Sequence, residues 1–100
     1  MSPDDLRRLA TQDTGPPPGL SDPLLALWWD AHGDWERAHE HAQGGGGADS
    51  AWVHAYLHRR EGDLANADYW YARAGRRRPN VALEAEWGEI AAALLGGTSR

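Results

Sequence analysis

The sequence predicts an all-α domain: two antiparallel helical hairpins, a C-terminal closing helix and a short N-terminal helix. Three observations carry this. Apolar residues recur at helical spacing, most cleanly at Leu83, Trp87, Ile90 and Leu94. A Gly-Asp step occurs twice, at Gly33-Asp34 and Gly62-Asp63, each time between two helical stretches. Val and Ile are scarce and Ala is abundant, so the chain is poor in strand formers and rich in helix formers.

The elements follow in order. Ser2 can cap a first helix, with Pro3 at its first position and Asp4 and Asp5 against the positive helix end. Leu6 and Leu9 give it a thin apolar edge, and it should end near Thr11 to Asp13. Gly15-Pro16-Pro17-Pro18-Gly19 cannot be helical and reads as a stiff spacer. Residues 1–19 are thus expected as a short helix with a Pro-rich arm, and residues 20–97 as the helical domain.

Ser21-Asp22-Pro23 is a helix start, and Leu24, Leu25, Leu27, Trp28 and Trp29 cover most of the helix that follows. Such a helix expects neighbours on several sides. It closes at Gly33, and Asp34 caps a third helix reaching about Gln43. Gly44 to Gly47 reads as a flexible break, and Asp49 or Ser50 starts a fourth helix that ends at Glu61. Asp63 caps a fifth, expected from Leu64 to about Arg76, with Arg76, Arg77 and Arg78 offsetting its dipole and Pro79 stopping it. Asn80 can cap a sixth, which Gly96-Gly97 ends; Glu84 and Glu86 are expected on its solvent face.

Composition narrows the function. The net charge of −5 argues against nucleic-acid binding, which needs a basic face. All ten basic residues are Arg, which genome composition explains. There is no Cys, so disulfides, thiolate zinc sites and thiol catalysis are excluded. No apolar run approaches the ~20 residues of a membrane span, and the first residues lack a signal-peptide layout, so no membrane contact and a cytoplasmic location are expected. Nucleophile and phosphate-loop motifs are missing. The six Trp and three Tyr suit either a core of few bulky pieces or a recognition surface.

The Gly-Asp steps belong to a weak repeat. Trp28 to Ala38 aligns with Leu57 to Ala67: a helix end, Gly-Asp, a large apolar residue, then Ala three residues on. Glycine supplies a left-handed close, Asp caps the next helix, the large residue wedges into the hairpin, and Ala allows close helix approach. With Gly62, Ala67, Tyr71, Ala74 and Pro79 at their spacing, and with Leu25, Ala26, Trp29, Gly33, Trp35 and Ala38 in the first copy, the stretch 22–79 resembles the tetratricopeptide or Sel1-like helical repeat family. The copies are offset by 29 residues, whereas that repeat has a period of about 34, and the Gly run truncates the first copy. A compact bundle is therefore expected in place of a superhelix.

The resemblance implies a groove lined by the first helix of the second repeat, at Trp52, Tyr56, Arg59 and Arg60. Two aromatics and two Arg suit an extended peptide carrying carboxylates. Tyr69, Trp70 and Tyr71 cannot all face one core, so Tyr69 or Trp70 should be partly exposed or pack on the sixth helix; Trp70 joins the partner-binding candidates. His54 and His58 stand one turn apart on one helix face and could share a metal ion. His39 and His41 precede them but diverge by about 160° at about 100° per residue, so at most one joins; Glu40 or Asp49 are other third-ligand candidates. The expected function is a non-catalytic interaction module with a protein or peptide partner and no cofactor. The alternative is a metal- or small-ligand-binding protein using His39, His54 and His58.

Overall fold

A computed structural model describes residues 1–96. It contains α1 (Pro3–Gln12), α2 (Asp22–His32), α3 (Trp35–Gly44), α4 (Gly47–Glu61), α5 (Leu64–Arg73) and α6 (Leu83–Gly96), with no strand among the described residues. The expected Gly97 end of the last helix lies outside them.

Both hairpins close in the same way. At the end of α2, Gly33 takes φ 99°, its N–H donates to the Asp30 carbonyl, and the Asp34 N–H donates to the Trp29 carbonyl. At the end of α4, Gly62 takes φ 87°, with matching bonds from Gly62 to Arg59 and from Asp63 to His58. These paired bonds satisfy the last carbonyls of a helix and need a left-handed residue that glycine adopts at no steric cost. Asp34 and Asp63 then turn their carboxylates onto the N–H groups of Arg37 and Asn66, capping α3 and α5. Ala38 and Ala67, one turn on, are fully buried where the helices of each pair meet.

α4 is the axis of the molecule. Every residue from Ser50 to His58 is buried, and α2, α3, α5 and α6 all pack on it. α1 packs on α2 and α6, with Leu6 and Ala10 fully buried. The N-terminal helix is therefore part of the same core. α6 lays Trp87, Ile90 and Ala91 inward, and the Trp87 indole N–H donates to the Leu27 carbonyl at 3.1 Å.

Several local expectations are corrected. α4 begins at Gly47, so Asp49 and Ser50 already lie in its first turn and only a tight connection separates it from α3. α5 ends at Arg73, because Gly75 and Arg76 repeat the closing bonds of the other two helices, to Ala72 and Tyr71. Arg76 to Arg78 thus follow the helix. Asn80 is two residues too early to cap α6, whose first intrahelical bond runs from Glu86 to the Ala82 carbonyl. Leu64, expected as a wedge, is 42% exposed. Glu86, expected on a solvent face, is buried against Arg59 and Tyr71.

Candidate metal centre

His54 and His58 are one turn apart on α4, and both are buried, at 4% and 6% exposure. α3 runs alongside and supplies His39 from the facing side. The Nε2 atoms of His39 and His54 lie 3.0 Å apart, and each of the three rings offers a nitrogen within 4.8 Å of the other two. Ring centroids are separated by 4.7 Å for His39 and His54, 4.8 Å for His54 and His58, and 5.2 Å for His39 and His58. Indoles hold the cluster: Trp35 stacks on His39 at 4.9 Å, and Trp70 of α5 stacks on His54 at 4.0 Å.

The electrostatics favour neutral rings. Burial, reinforced by the neighbouring His39 and His58, pushes His54 down to about 4. His39 is lowered as well, first by burial and then by His58, against the opposing pull of Glu61 and Glu40. At neutral pH both therefore present lone pairs. His58 is oriented from behind: its Nδ1 meets the Glu61 carboxylate at 2.6 Å. A proton donated there leaves Nε2 as the basic nitrogen, which is how a carboxylate commonly sets a metal-ligating histidine.

An ion bound tetrahedrally at about 2.0–2.1 Å from each nitrogen needs ligand nitrogens roughly 3.3 Å apart. The His39–His54 separation is already close to that, and the His58 nitrogen lies within 4.8 Å of both. A second group, His58, Glu61 and Asp63, also brings three donors together. Its carboxylates are exposed and employed elsewhere, Glu61 on His58 and Asp63 on the α5 cap, so the imidazole set is the better defined.

The other sequence candidates fall elsewhere. His41 points to Asp22, 3.7 Å away, and neither Glu40 nor Asp49 joins the histidines. Of the expected groove residues, Trp52, Tyr56 and Arg59 are taken up by neighbouring elements and Arg60 is exposed. Trp52 is buried under the Arg76 guanidinium, 3.3 Å from its ring centroid. The Tyr56 hydroxyl is internal and donates to Asp30 at 2.9 Å, and Arg60 in turn binds both Asp30 and Tyr56. Arg59 reaches Glu86 at 2.7 Å and also donates to the Val81 carbonyl. Register inherited from the repeat placed these side chains outward; Trp52 and Tyr56 are buried instead and Arg59 pairs with Glu86 of α6, while Arg60 stays exposed. Trp70 packs on His54, while Tyr69 is 55% exposed.

Sequence reasoning missed Glu61 as the partner of His58 and the two indole walls. The Glu61 signal was present as an i, i+3 spacing on one helix. Trp35 was legible too, one turn before His39 on α3, whereas Trp70 lies on α5 and no local pattern joins it to His54.

No family model, curated protein or solved structure matches the chain. The likeness to tetratricopeptide repeats rests on the repeat residues alone.

Proposed function

We propose that the protein binds a divalent transition-metal ion through His39, His54 and His58. The observation that carries this is the convergence of three imidazoles, two of them buried, with all donor nitrogens within 4.8 Å. Without an ion the polar contacts of the cluster are the single proton shared by His39 and His54 and the bond of His58 to Glu61. A donor set of imidazole nitrogens suits Zn²⁺, Ni²⁺ or Cu²⁺ over Mg²⁺ or Ca²⁺, which prefer oxygen. An interaction module, the role the sequence favours first, is the second reading, with exposed Tyr69 as its surface handle.

The test is thermal unfolding of chelator-treated protein with and without each ion, together with metal analysis. An ion at a hundred times its dissociation constant adds about 2.7 kcal/mol, enough to raise the midpoint by on the order of 10 °C. His39 is only partly buried, so His39→Gln should fold and lose most of that rise. A His54/His58 double variant should lose all of it. No rise in the native protein, or an equal rise in His39→Gln, overturns the proposal.

A further inference from the structure

The geometry points to a second ligand at this centre: a small organic dicarboxylate, bound between the ion and Arg73. This rests on the metal reading above and adds what the ion would hold. Three donors leave an ion with a vacant coordination position, as in zinc sites that bind water or substrate. Among the described residues no carboxylate joins the three histidines to fill it.

His54 also belongs to the wall of a pocket of about 360 Å³. Gln43 and Gly45 at the end of α3, Gly47 and Ala51 at the start of α4, and Trp70 and Arg73 of α5 complete the enclosure. In a chain of net charge −5, this lining contains one guanidinium and no carboxylate. Arg73 makes no ion pair among the described residues. Its guanidinium lies over Tyr69 and Trp70, 5.8 and 5.4 Å from their ring centroids, with a long 3.4 Å bond to the Tyr69 hydroxyl. Five other arginines (Arg8, Arg37, Arg59, Arg60 and Arg78) each meet an Asp or Glu. Arg73 is thus a cation held by aromatic faces, with one long bond to Tyr69 and no carboxylate on its fork among the described residues.

The ligand class follows from two positive points on one pocket wall, an ion at His54 and the Arg73 guanidinium. The Trp70 ring neighbours both, stacked on His54 at 4.0 Å and with its centroid 5.4 Å from the Arg73 guanidinium. A short dicarboxylate places one group on the ion and the other on Arg73. The pocket volume is at the small end of ligand sites, which excludes a folded partner or a long peptide.

Co²⁺-loaded protein gives the test, because the visible bands of Co²⁺ report each change of ligand. Succinate should shift those bands saturably, and acetate should do so about tenfold more weakly or not at all. Arg73→Gln should leave Co²⁺ binding intact and weaken succinate at least tenfold, the usual loss for a charge-assisted contact. A bound Co²⁺ whose spectrum ignores succinate, or an Arg73→Gln protein that binds succinate unchanged, overturns the dicarboxylate site while leaving the metal site standing. Absence of Co²⁺ bands altogether, or their persistence in His39→Gln, overturns the metal site and this inference with it.

Discussion

The carboxylate of Glu86 is 1% exposed and held from two sides, by Arg59 at 2.7 Å and by the Tyr71 hydroxyl at 2.5 Å. Burial and that carboxylate keep the Tyr71 hydroxyl protonated well above its ordinary range, so it remains a donor. Removing Glu86 leaves the Tyr71 hydroxyl without its acceptor and Arg59 without its counter-charge, although Arg59 keeps the Val81 carbonyl. Glu86→Ala should cost ~3–5 kcal/mol, whereas a paired Arg59→Met, Glu86→Leu protein should lose much less, because no charge is left uncompensated. Urea denaturation of the two variants decides this. His54 sets a pH dependence of its own. Its folded value of about 4 lies below the ordinary 6.5, so the unfolded chain takes up the proton first as pH falls. Stability of the metal-free protein should be full above pH 6.5 and decline until pH reaches about 4, by roughly 3 kcal/mol from this residue. The groups facing His54 are His39 and His58, with Arg73 on the same pocket. Asp30, raised by burial against the pull of Arg60 and Tyr56, acts in the opposite sense near the acid end. Denaturation midpoints between pH 7.5 and 4.5 in chelator should show the decline, and His54→Gln should reduce it to the smaller part that His39, lowered in the same direction, contributes.

Among the helices, one closing device is used three times with different consequences. α2, α4 and α5 each end in glycine with the same pair of backbone bonds. After the first two, the next residue is Asp, and it caps a new helix at once. After α5 the same position holds Arg76, which cannot cap, and the chain runs on to Leu83 before a helix resumes. Gly33→Ala and Gly62→Ala, both at positive φ, should each destabilise by about 1–2 kcal/mol. Asp63→Ala should cost about 1 kcal/mol through the lost cap, read by the same urea titration. These closures were legible in the sequence because they are local, with every partner within five residues. The third was equally present in Ala74-Gly75 but was masked by the helix-forming Arg run behind it. What lay beyond the sequence was the orientation of α4. A helix buried from Ser50 to His58 has no polar face, so periodicity cannot say which way Tyr56 or Arg59 points. Their partners, Asp30 and Glu86, are 26 and 27 residues away. The i, i+4 pair of His54 and His58 could be read from spacing, and the choice of His39 over His41 needed α3 in place beside α4.

For the molecule as a whole, the question is whether the two hairpins unfold separately. Three connections oppose that. α3 of the first hairpin packs directly on α4 of the second, and the Trp35 indole donates to the Leu57 carbonyl across that seam at 2.9 Å. α6 touches α1, α2 and α4, so it bridges both hairpins. Arg7 of α1 lies over the Trp87 ring at 4.4 Å, tying the first helix to the last. One shared core of this kind predicts a single cooperative transition, in which far-UV circular dichroism and tryptophan fluorescence fall on the same urea curve. Trp87→Ala should lower stability by ~3–5 kcal/mol with an unchanged slope, since it weakens the one unit without dividing it. The candidate metal centre sharpens the test. His39 belongs to the first hairpin, and His54 and His58 to the second, so an ion there staples the seam between them. It should therefore move both probes together and by the same amount. A biphasic curve, with the ion displacing only one phase, would mean that the hairpins are separate units and that the seam is not where the fold is held.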